Sequence, residues 1–116
     1  MQRNCRMITA IVNGYKRPQF LQEQVDAINN QTVKPAEIML WQNNTEGFDE
    51  ELISGLTTAS CNKNLGVWAR FAFALNAKTE YICIFDDDTI PGPMWFENCL
   101  NTMKSHEGLL GSIGLV

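Results

Sequence analysis

Several features that identify common classes of protein are missing from this chain of 116 residues. No apolar run reaches the ~18 residues that a helix needs to cross a bilayer, so we expect no membrane span. The net charge is −4, and lysine and arginine form no cluster, which argues against bare nucleic acid as a partner. With 45% hydrophobic and 19% charged residues, the composition is that of an ordinary globular domain.

Common catalytic and metal-binding motifs are also missing. The sequence contains neither G-x-G-x-x-G nor a Walker loop, and its single histidine, His106, follows a predicted helix in a polar segment. The four cysteines include no C-x-x-C pair, so no zinc site is indicated. Cys83 and Cys99 occur within apolar patterns. We expect both to be buried, reduced thiols, which is typical of a cytoplasmic protein.

The most distinctive stretch is an apolar run that ends at three acidic residues. The run covers residues 81–85, Asp86, Asp87 and Asp88 follow it, and Pro-Gly-Pro at 91–93 ends the segment. A continuous apolar run of this length predicts a strand that is buried on both faces. On an extended backbone, the side chains of Asp86 and Asp88 would point to the same side.

Adjacent carboxylates destabilise one another unless their charge is offset. Two of them about 5 Å apart, at an effective dielectric of ~20, repel by roughly 3 kcal/mol. Solvation, shared protons or a bound cation would reduce this repulsion. A hard divalent ion such as Mg²⁺ or Mn²⁺ takes oxygen ligands and suits the site. The alternative is an acidic loop that is simply solvated.

Strands and helices alternate along the sequence. Apolar and β-branched runs predict strands at residues 7–12, 37–41, 57–61, 81–85 and 108–116. Apolar residues at helical spacing predict helices at residues 18–28, 49–56, 68–75 and 93–103. This order predicts an α/β fold of three layers, with a mostly parallel sheet and helices on both of its faces.

Two of the helices have a predicted apolar face. In the first helix, Leu21, Val25 and Ile28 form the face, and Gln24 is placed off it. The face of the third helix is formed by Trp68, Phe71, Ala72 and Leu75. We expect both faces to pack against the sheet.

Polar residues follow each of the first four strands. They occupy 13–17, 42–44, 62–64 and 86–88. Because the carboxyl ends of parallel strands meet at one edge of a sheet, these groups are expected to form a single ligand-binding rim. The alternative for each loop asparagine is a hydrogen bond to its local backbone.

The residue types on this rim suit a nucleotide. Tyr15 could stack on a base, and Asn43 could bond a base edge with its amide. Arg17 or Arg70 could bind a phosphate with the guanidinium fork. Tyr15 packing on the rim and Arg70 as a surface charge are the corresponding structural alternatives.

These motifs together resemble the nucleotide-sugar half of GT-A glycosyltransferases, notably glycosyltransferase family 2. The similarity runs from residue 8 to about residue 116, and its most specific pieces are Asn64-x-Gly66-x-x-Ala69-Arg70 and the aspartate triplet. The resemblance implies a hexosyltransferase-like enzyme that moves a sugar from a nucleotide diphosphate, with UDP favoured, to an acceptor hydroxyl on a glycan or other molecule. It also implies a Mn²⁺ or Mg²⁺ cofactor.

The resemblance assigns roles to individual residues. Asp88 matches the aspartate that binds the metal, and Asp86 is the second candidate ligand. Asp86 or Asp87 would contact the ribose, or the metal through water. The remaining nucleotide-sugar contacts are Asn13 and Tyr15 in the base pocket, Asn43 at the uracil, Asn64 and Arg70 near the ribose and phosphates, and Arg17 as the other candidate for a phosphate.

Two departures from the family pattern qualify this assignment. Gln42-Asn43 stands where the family usually has an acidic pair, which affects base preference. The family's second half, with the acceptor pocket and the usual catalytic base, is also missing. We therefore interpret residues 1–116 as a nucleotide-sugar-binding subdomain, with the base expected beyond residue 116.

Two other functions fit parts of the sequence. A phosphatase of the haloacid dehalogenase type also places D-x-D after a strand, but here Ile90 stands where that family has Thr or Val. A non-catalytic module that binds nucleotide and metal is the second alternative.

Overall fold

The protein is an α/β structure built on one parallel sheet, seen here in a computed structural model. The description covers residues 7–15, 18–43, 50–66, 68–106, 108 and 110. The strands are β1 (Ile8–Gly14), β2 (Glu37–Asn43), β3 (Thr57–Cys61) and β4 (Tyr81–Phe85). The helices are α1 (Leu21–Asn29), α2 (Glu50–Ser54), α3 (Ala69–Ala74) and α4 (Trp95–Ser105), and a 3₁₀ turn (Pro18–Phe20) precedes α1.

The strands lie in the order β3-β2-β1-β4, and every pair is parallel. Strand β1 is central, and all seven of its residues are buried. Its Val12 pairs with Leu40 on one side and with Phe85 on the other. Since the strands run in the same direction, the residues that follow Val12, Leu40 and Phe85 lie at the same edge of the sheet. This arrangement confirms the predicted fold class.

Strands β1 and β2 continue two residues beyond their predicted ends. Asn13 pairs with Trp41, Gly14 pairs with Gln42, and Asn43 pairs with Cys61. A polar side chain does not stop a strand whose backbone groups still find partners in the neighbouring strands. The last residues of these strands therefore belong to the rim and are held by the sheet.

Helices cover both faces of the sheet. On one face, α1 and α4 pack on alternate residues of β1, in a buried cluster that contains Val12, Leu21, Ile28 and Phe96. On the other face, Phe73 and Ala74 of α3 pack on Ile11 and Met39. The alternation of β1 side chains between the two clusters is what a strand buried on both faces requires.

The predicted apolar face of α3 is wrong. Trp68 is 76% exposed, Leu75 is 86% exposed, and Phe71 is exposed as well. The side that packs carries Phe73, whose ring centroid lies 5.8 Å from that of Trp41. Helical spacing identifies a set of residues on one side of a helix but not which side meets the sheet.

Three further predictions, on Gln24, on the last strand and on membrane spans, can be compared with the structure. Gln24, predicted off the apolar face of α1, is only 1% exposed. The predicted strand over 108–116 falls mostly outside the described residues. Within the described part of the chain, no helix is long and apolar enough to cross a membrane.

Cys83 and Cys99, which the sequence predicts to be buried, are both half-buried in the structure. Burial raises the pKa of the Cys83 thiol to about 11, although the Trp95 indole N–H donates to its Sγ over 3.3 Å. Burial also raises the pKa of Cys99. Both residues, like Cys61, are free thiols.

The raised pKa predicts a slow reaction of Cys83 with thiol reagents. A shift from 9.0 to about 11 lowers the thiolate fraction at pH 8 by about 100-fold, and only the thiolate reacts. Mass spectrometry of the native protein after timed iodoacetamide treatment should find Cys83 modified more slowly than Cys61. Equal rates for the two residues in folded protein would contradict the burial of Cys83.

Candidate functional site

The acidic residues after β4 form a turn. The Thr89 N–H donates to the Asp86 carbonyl over 3.2 Å, so Asp87 and Asp88 are the central residues of a four-residue turn. The extended backbone on which Asp86 and Asp88 were expected to point to the same side therefore does not continue past Asp86. Asp87 is half-buried, whereas Asp86 and Asp88 are exposed.

Arg70 provides a positive charge beside this turn. Its Nη1 donates to Oδ1 of Asp86 in an ion pair, and the two side chains are 13% and 59% exposed. Arg70 lies in the first turn of α3, which follows the loop after β3. Because the pair is open to solvent on the Asp86 side, it contributes at most about 1 kcal/mol to folding. It nevertheless offsets part of the charge of the triplet without a metal ion.

Gln24 attaches the acidic turn to α1. Its Nε2 donates to the carbonyls of Asp86 and Thr89, at 2.5 Å and 3.0 Å. These two carbonyls are at the two ends of the turn, so one buried amide fixes both ends. The burial of Gln24 is explained by these bonds, since a buried amide without partners would be costly.

Gln31 holds the segment that follows the turn. Its Nε2 donates to the Gly92 carbonyl over 2.5 Å, and its Oε1 accepts from the Phe96 N–H over 3.0 Å. The Thr32 N–H also donates to the Pro93 carbonyl over 2.8 Å. Gln31 thus satisfies an N–H in the first turn of α4, where no partner exists within the helix.

Asparagine side chains form a second network on the rim. Asn43 Oδ1 accepts from the Leu65 N–H over 2.9 Å, and its Nδ2 donates to Asn64 Oδ1 over 3.0 Å. Asn64 Nδ2 donates to the Tyr15 hydroxyl over 3.1 Å. Gly66, at φ 76°, donates its N–H to Asn64 Oδ1 over 2.9 Å. The left-handed backbone at Gly66 favours glycine and lets the chain turn here.

Asn13 differs from the other rim asparagines. It is the penultimate residue of β1 and is buried, and its Oδ1 has no hydrogen-bond partner among the described residues. Arg70 Nε is likewise buried without a partner in the same set of residues. Each is a polar atom that a water or ligand could satisfy.

The structure brings most of the predicted site residues to one edge of the sheet. Direct contacts connect Asn64 with both Asn43 and Tyr15, and Arg70 with Asp86. Asn13, Asp87 and Asp88 lie at the same edge by position, at the ends of β1 and β4. The predicted phosphate contact of Arg17 falls outside the described residues.

The acidic turn supplies oxygen ligands but not a complete metal site. No group of three acidic, histidine or cysteine side chains in the described ranges is arranged to hold an ion. Carboxylate oxygen is nevertheless the donor that Mg²⁺ and Mn²⁺ prefer, and Mg²⁺ commonly takes one or two carboxylates together with substrate phosphates. The donor chemistry fits such an ion if a diphosphate and water complete its coordination.

Gln24 and Gln31 were not predicted as site residues. The signal that identifies them is spacing, since Gln24 lies at i+3 from Leu21 and Gln31 at i+3 from Ile28. An amide in an otherwise apolar stripe indicates a buried group that must find polar partners. Those partners lie more than 60 residues further along the chain, so the sequence alone does not identify them.

A second candidate for a ligand site is an apolar cavity. Among the described residues it is a space of about 490 Å³ between β4 and α4, lined by Ile82, Trp95, Leu100 and other apolar groups. A nucleoside diphosphate needs cationic groups, and the described part of this lining contains no lysine, arginine or histidine. The polar rim is therefore the better candidate for the nucleotide site, although it is open to solvent.

Comparison with known proteins identifies the family to which the chain belongs. Residues 9–114 match the family described as Glycosyl transferase family 2, and the chain belongs to that family. A comparison with curated protein sequences found no significant match.

Solved structures with this fold include TarS from S. aureus. TarS 1–349, alone and in complex with UDP, matches at 14% identity with a TM-score of 0.72 over 86% of this chain. The match covers 33% of the first of these TarS chains and 32% of the second. A structure of TarS without the 1–349 limit matches at 14% identity and a TM-score of 0.70, over 84% of this chain and 19% of TarS. The chain therefore spans about a third of TarS 1–349 and shares its fold.

Replacing Gln24 should destabilise the protein because it removes the donor that holds the acidic turn. We expect Gln24→Met, which keeps the length of the side chain, to lower the free energy of unfolding by about 1–3 kcal/mol. Urea denaturation followed by circular dichroism measures this change. Gln22→Met is the matched control, since Gln22 is exposed on the same helix and donates only to Asp26. Equal losses in the two variants would contradict the role of Gln24.

Proposed function

We propose that residues 1–116 form the donor-binding part of a glycosyltransferase that transfers a sugar from a nucleotide diphosphate, with UDP preferred, to a hydroxyl of a glycan or other acceptor. The observation that carries the proposal is the meeting of an acidic turn, a guanidinium and an aromatic ring at one sheet edge. Membership of glycosyl transferase family 2 and the fold shared with a UDP-bound TarS structure support it. Because the chain belongs to glycosyl transferase family 2, we do not propose the phosphatase alternative.

The nucleoside would lie on the side of the rim that carries Tyr15. The Tyr15 ring is half-buried and has a fixed hydroxyl, so it offers a face on which a base could stack. Asn13 Oδ1, buried without a protein partner in the described residues, could accept from the nucleoside. Arg17 stays a predicted phosphate contact.

The diphosphate would lie beside the pair formed by Arg70 and Asp86. The guanidinium has five N–H donors in a planar fork, so it can pair with Asp86 and bind phosphate at the same time. It would oppose the negative charge that the triplet and the diphosphate bring together.

The exposed carboxylate of Asp88 is our proposed direct ligand for Mg²⁺ or Mn²⁺. We place Asp86 in a weaker role, through water or as a second ligand, because it already pairs with Arg70. Asp87 would contact the ribose or the ion through water. A bound ion would stabilise the negative charge that develops on the departing nucleoside diphosphate.

The acceptor pocket and the general base are proposed to lie outside residues 1–116. Tyr15, Arg70 and the acidic turn bind and orient the donor, and none is assigned as the base. The cytoplasmic location predicted from the cysteines stays a prediction.

Binding of UDP should depend on a divalent ion through Asp88. Isothermal titration calorimetry of UDP, with and without Mn²⁺, should give binding that is tighter by about tenfold or more with the ion, because a bound ion would offset the negative charge of both the carboxylate and the diphosphate. Asp88→Ala should abolish that gain, whereas Asp26→Ala, which removes an exposed aspartate of α1, should keep it. UDP affinity that is unaffected by Mn²⁺ or by Asp88→Ala would contradict the metal assignment. Metal-dependent binding in a full-length protein that never transfers or hydrolyses a UDP-sugar would favour the non-catalytic module.

Arg70 should recognise the diphosphate rather than the nucleoside. We expect Arg70→Met to weaken UDP binding about 10- to 100-fold, as the loss of charge-assisted hydrogen bonds predicts, while uridine binding changes less than threefold. Calorimetric titration with both ligands gives the comparison. Equal losses of affinity for UDP and for uridine would contradict this role and would mean that Arg70 only stabilises the folded rim.

A further inference from the structure

We propose that Asn43 is a positioning residue, which acts through Asn64 to fix the Tyr15 ring, and that it does not read the uracil edge. This inference rests on the proposed function, since it concerns the base pocket of the same site. It replaces the direct uracil contact that the family resemblance assigns to Asn43.

The burial of Asn43 argues against direct contact with a base. Asn43 is the last residue of β2, where it pairs with Cys61 of β3, and its exposed fraction is 3%. Its Oδ1 and Nδ2 face the loop after β3, where they contact Leu65 and Asn64. A base at the solvent-facing rim would reach Tyr15 and Asn64 before it reached this amide.

Asn43 determines how the neighbouring amide is oriented. Because Asn43 donates to Asn64 Oδ1, the Nδ2 of Asn64 is directed to the Tyr15 hydroxyl. The Gly66 N–H also donates to Asn64 Oδ1, which reinforces the same orientation. The amide relay Asn43–Asn64–Tyr15 thus connects the ends of β2 and β1 through the loop that follows β3.

A fixed ring at this position would favour binding of any nucleobase. Stacking on an aromatic ring is tolerant of sequence because every base has a π-face, and a ring that is already held loses less freedom on binding. The relay should therefore raise the affinity for pyrimidine nucleotides in general. A hydrogen bond to the uracil edge would instead discriminate between bases.

The comparison of UDP with CDP separates these two roles, since the pyrimidines differ at the edge but stack similarly. Calorimetric titrations of the wild type, Asn43→Leu and Asn64→Ala with both nucleotides give six dissociation constants. We expect each variant to bind UDP and CDP about three- to tenfold more weakly, consistent with the loss of one or two neutral hydrogen bonds, with an unchanged UDP:CDP ratio. Asn62→Ala, an exposed amide in the same loop, is the matched control and should bind as the wild type does.

Coupling to Tyr15 provides a second measurement. Tyr15→Phe removes the hydroxyl that Asn64 contacts and keeps the stacking ring. If the relay acts through this hydroxyl, the losses from Tyr15→Phe and Asn64→Ala should not add in the double variant. Asn64 is exposed, so this cycle remains available if Asn43→Leu does not fold.

The outcomes distinguish the inference from the proposed function. A selective loss of UDP affinity in Asn43→Leu, with CDP unaffected, would assign base reading to Asn43 and overturn the inference. Additive losses in the Tyr15 and Asn64 cycle, or variants that bind like the wild type, would also overturn it. A wild-type protein that binds neither nucleotide, with or without Mn²⁺, would contradict the proposed function itself.

Discussion

The candidate site depends on two hydrogen bonds from one buried amide. Gln24 of α1 bonds the carbonyls of Asp86 and Thr89, and so connects the acidic turn to a helix that packs on the central strand. Gln31, one turn beyond α1, holds the Pro-Gly-Pro segment and the start of α4 in a similar way. The side-chain amides of both glutamines form hydrogen bonds with backbone groups. Their burial therefore stabilises this arrangement and would disfavour any arrangement that leaves the amides without partners. The carboxylates are therefore presented on a rigid support rather than on a free loop.

The charge of the acidic turn is divided between protein and solvent. Arg70 pairs with Asp86, and the side chain of Asp88 is exposed to solvent. On the other side of the rim the groups are neutral amides and a phenol, joined from Asn43 to Tyr15. This division into a neutral side and a charged side is the reason why the base is proposed to lie near Tyr15 and the diphosphate near Arg70.

Much of this arrangement could be predicted from the sequence because it follows from local patterns. The apolar run before Asp86 predicted a strand, and the alternation of strands and helices predicted a parallel sheet with one polar edge. The further prediction that this strand is central and buried on both faces was wrong, because β4 lies at the edge of the described sheet and only its Phe85 is buried. What could not be predicted depends on contacts between distant segments. Spacing placed Trp68 and Leu75 on one side of α3, but packing on the sheet selected Phe73 instead. The turn after β4 and the burial of Asn43 likewise depend on partners that are distant in sequence.

The central claim is that a nucleoside diphosphate binds at the carboxyl edge of the sheet. Titration of ¹⁵N-labelled protein with UDP and Mg²⁺, followed by heteronuclear NMR, tests it most directly. The account predicts that the amide signals of Tyr15, Leu65, Gly66 and Asp88 shift together, with one dissociation constant. Shifts confined to Ile82, Trp95 and Leu100, which line the apolar cavity beside β4, would contradict the account.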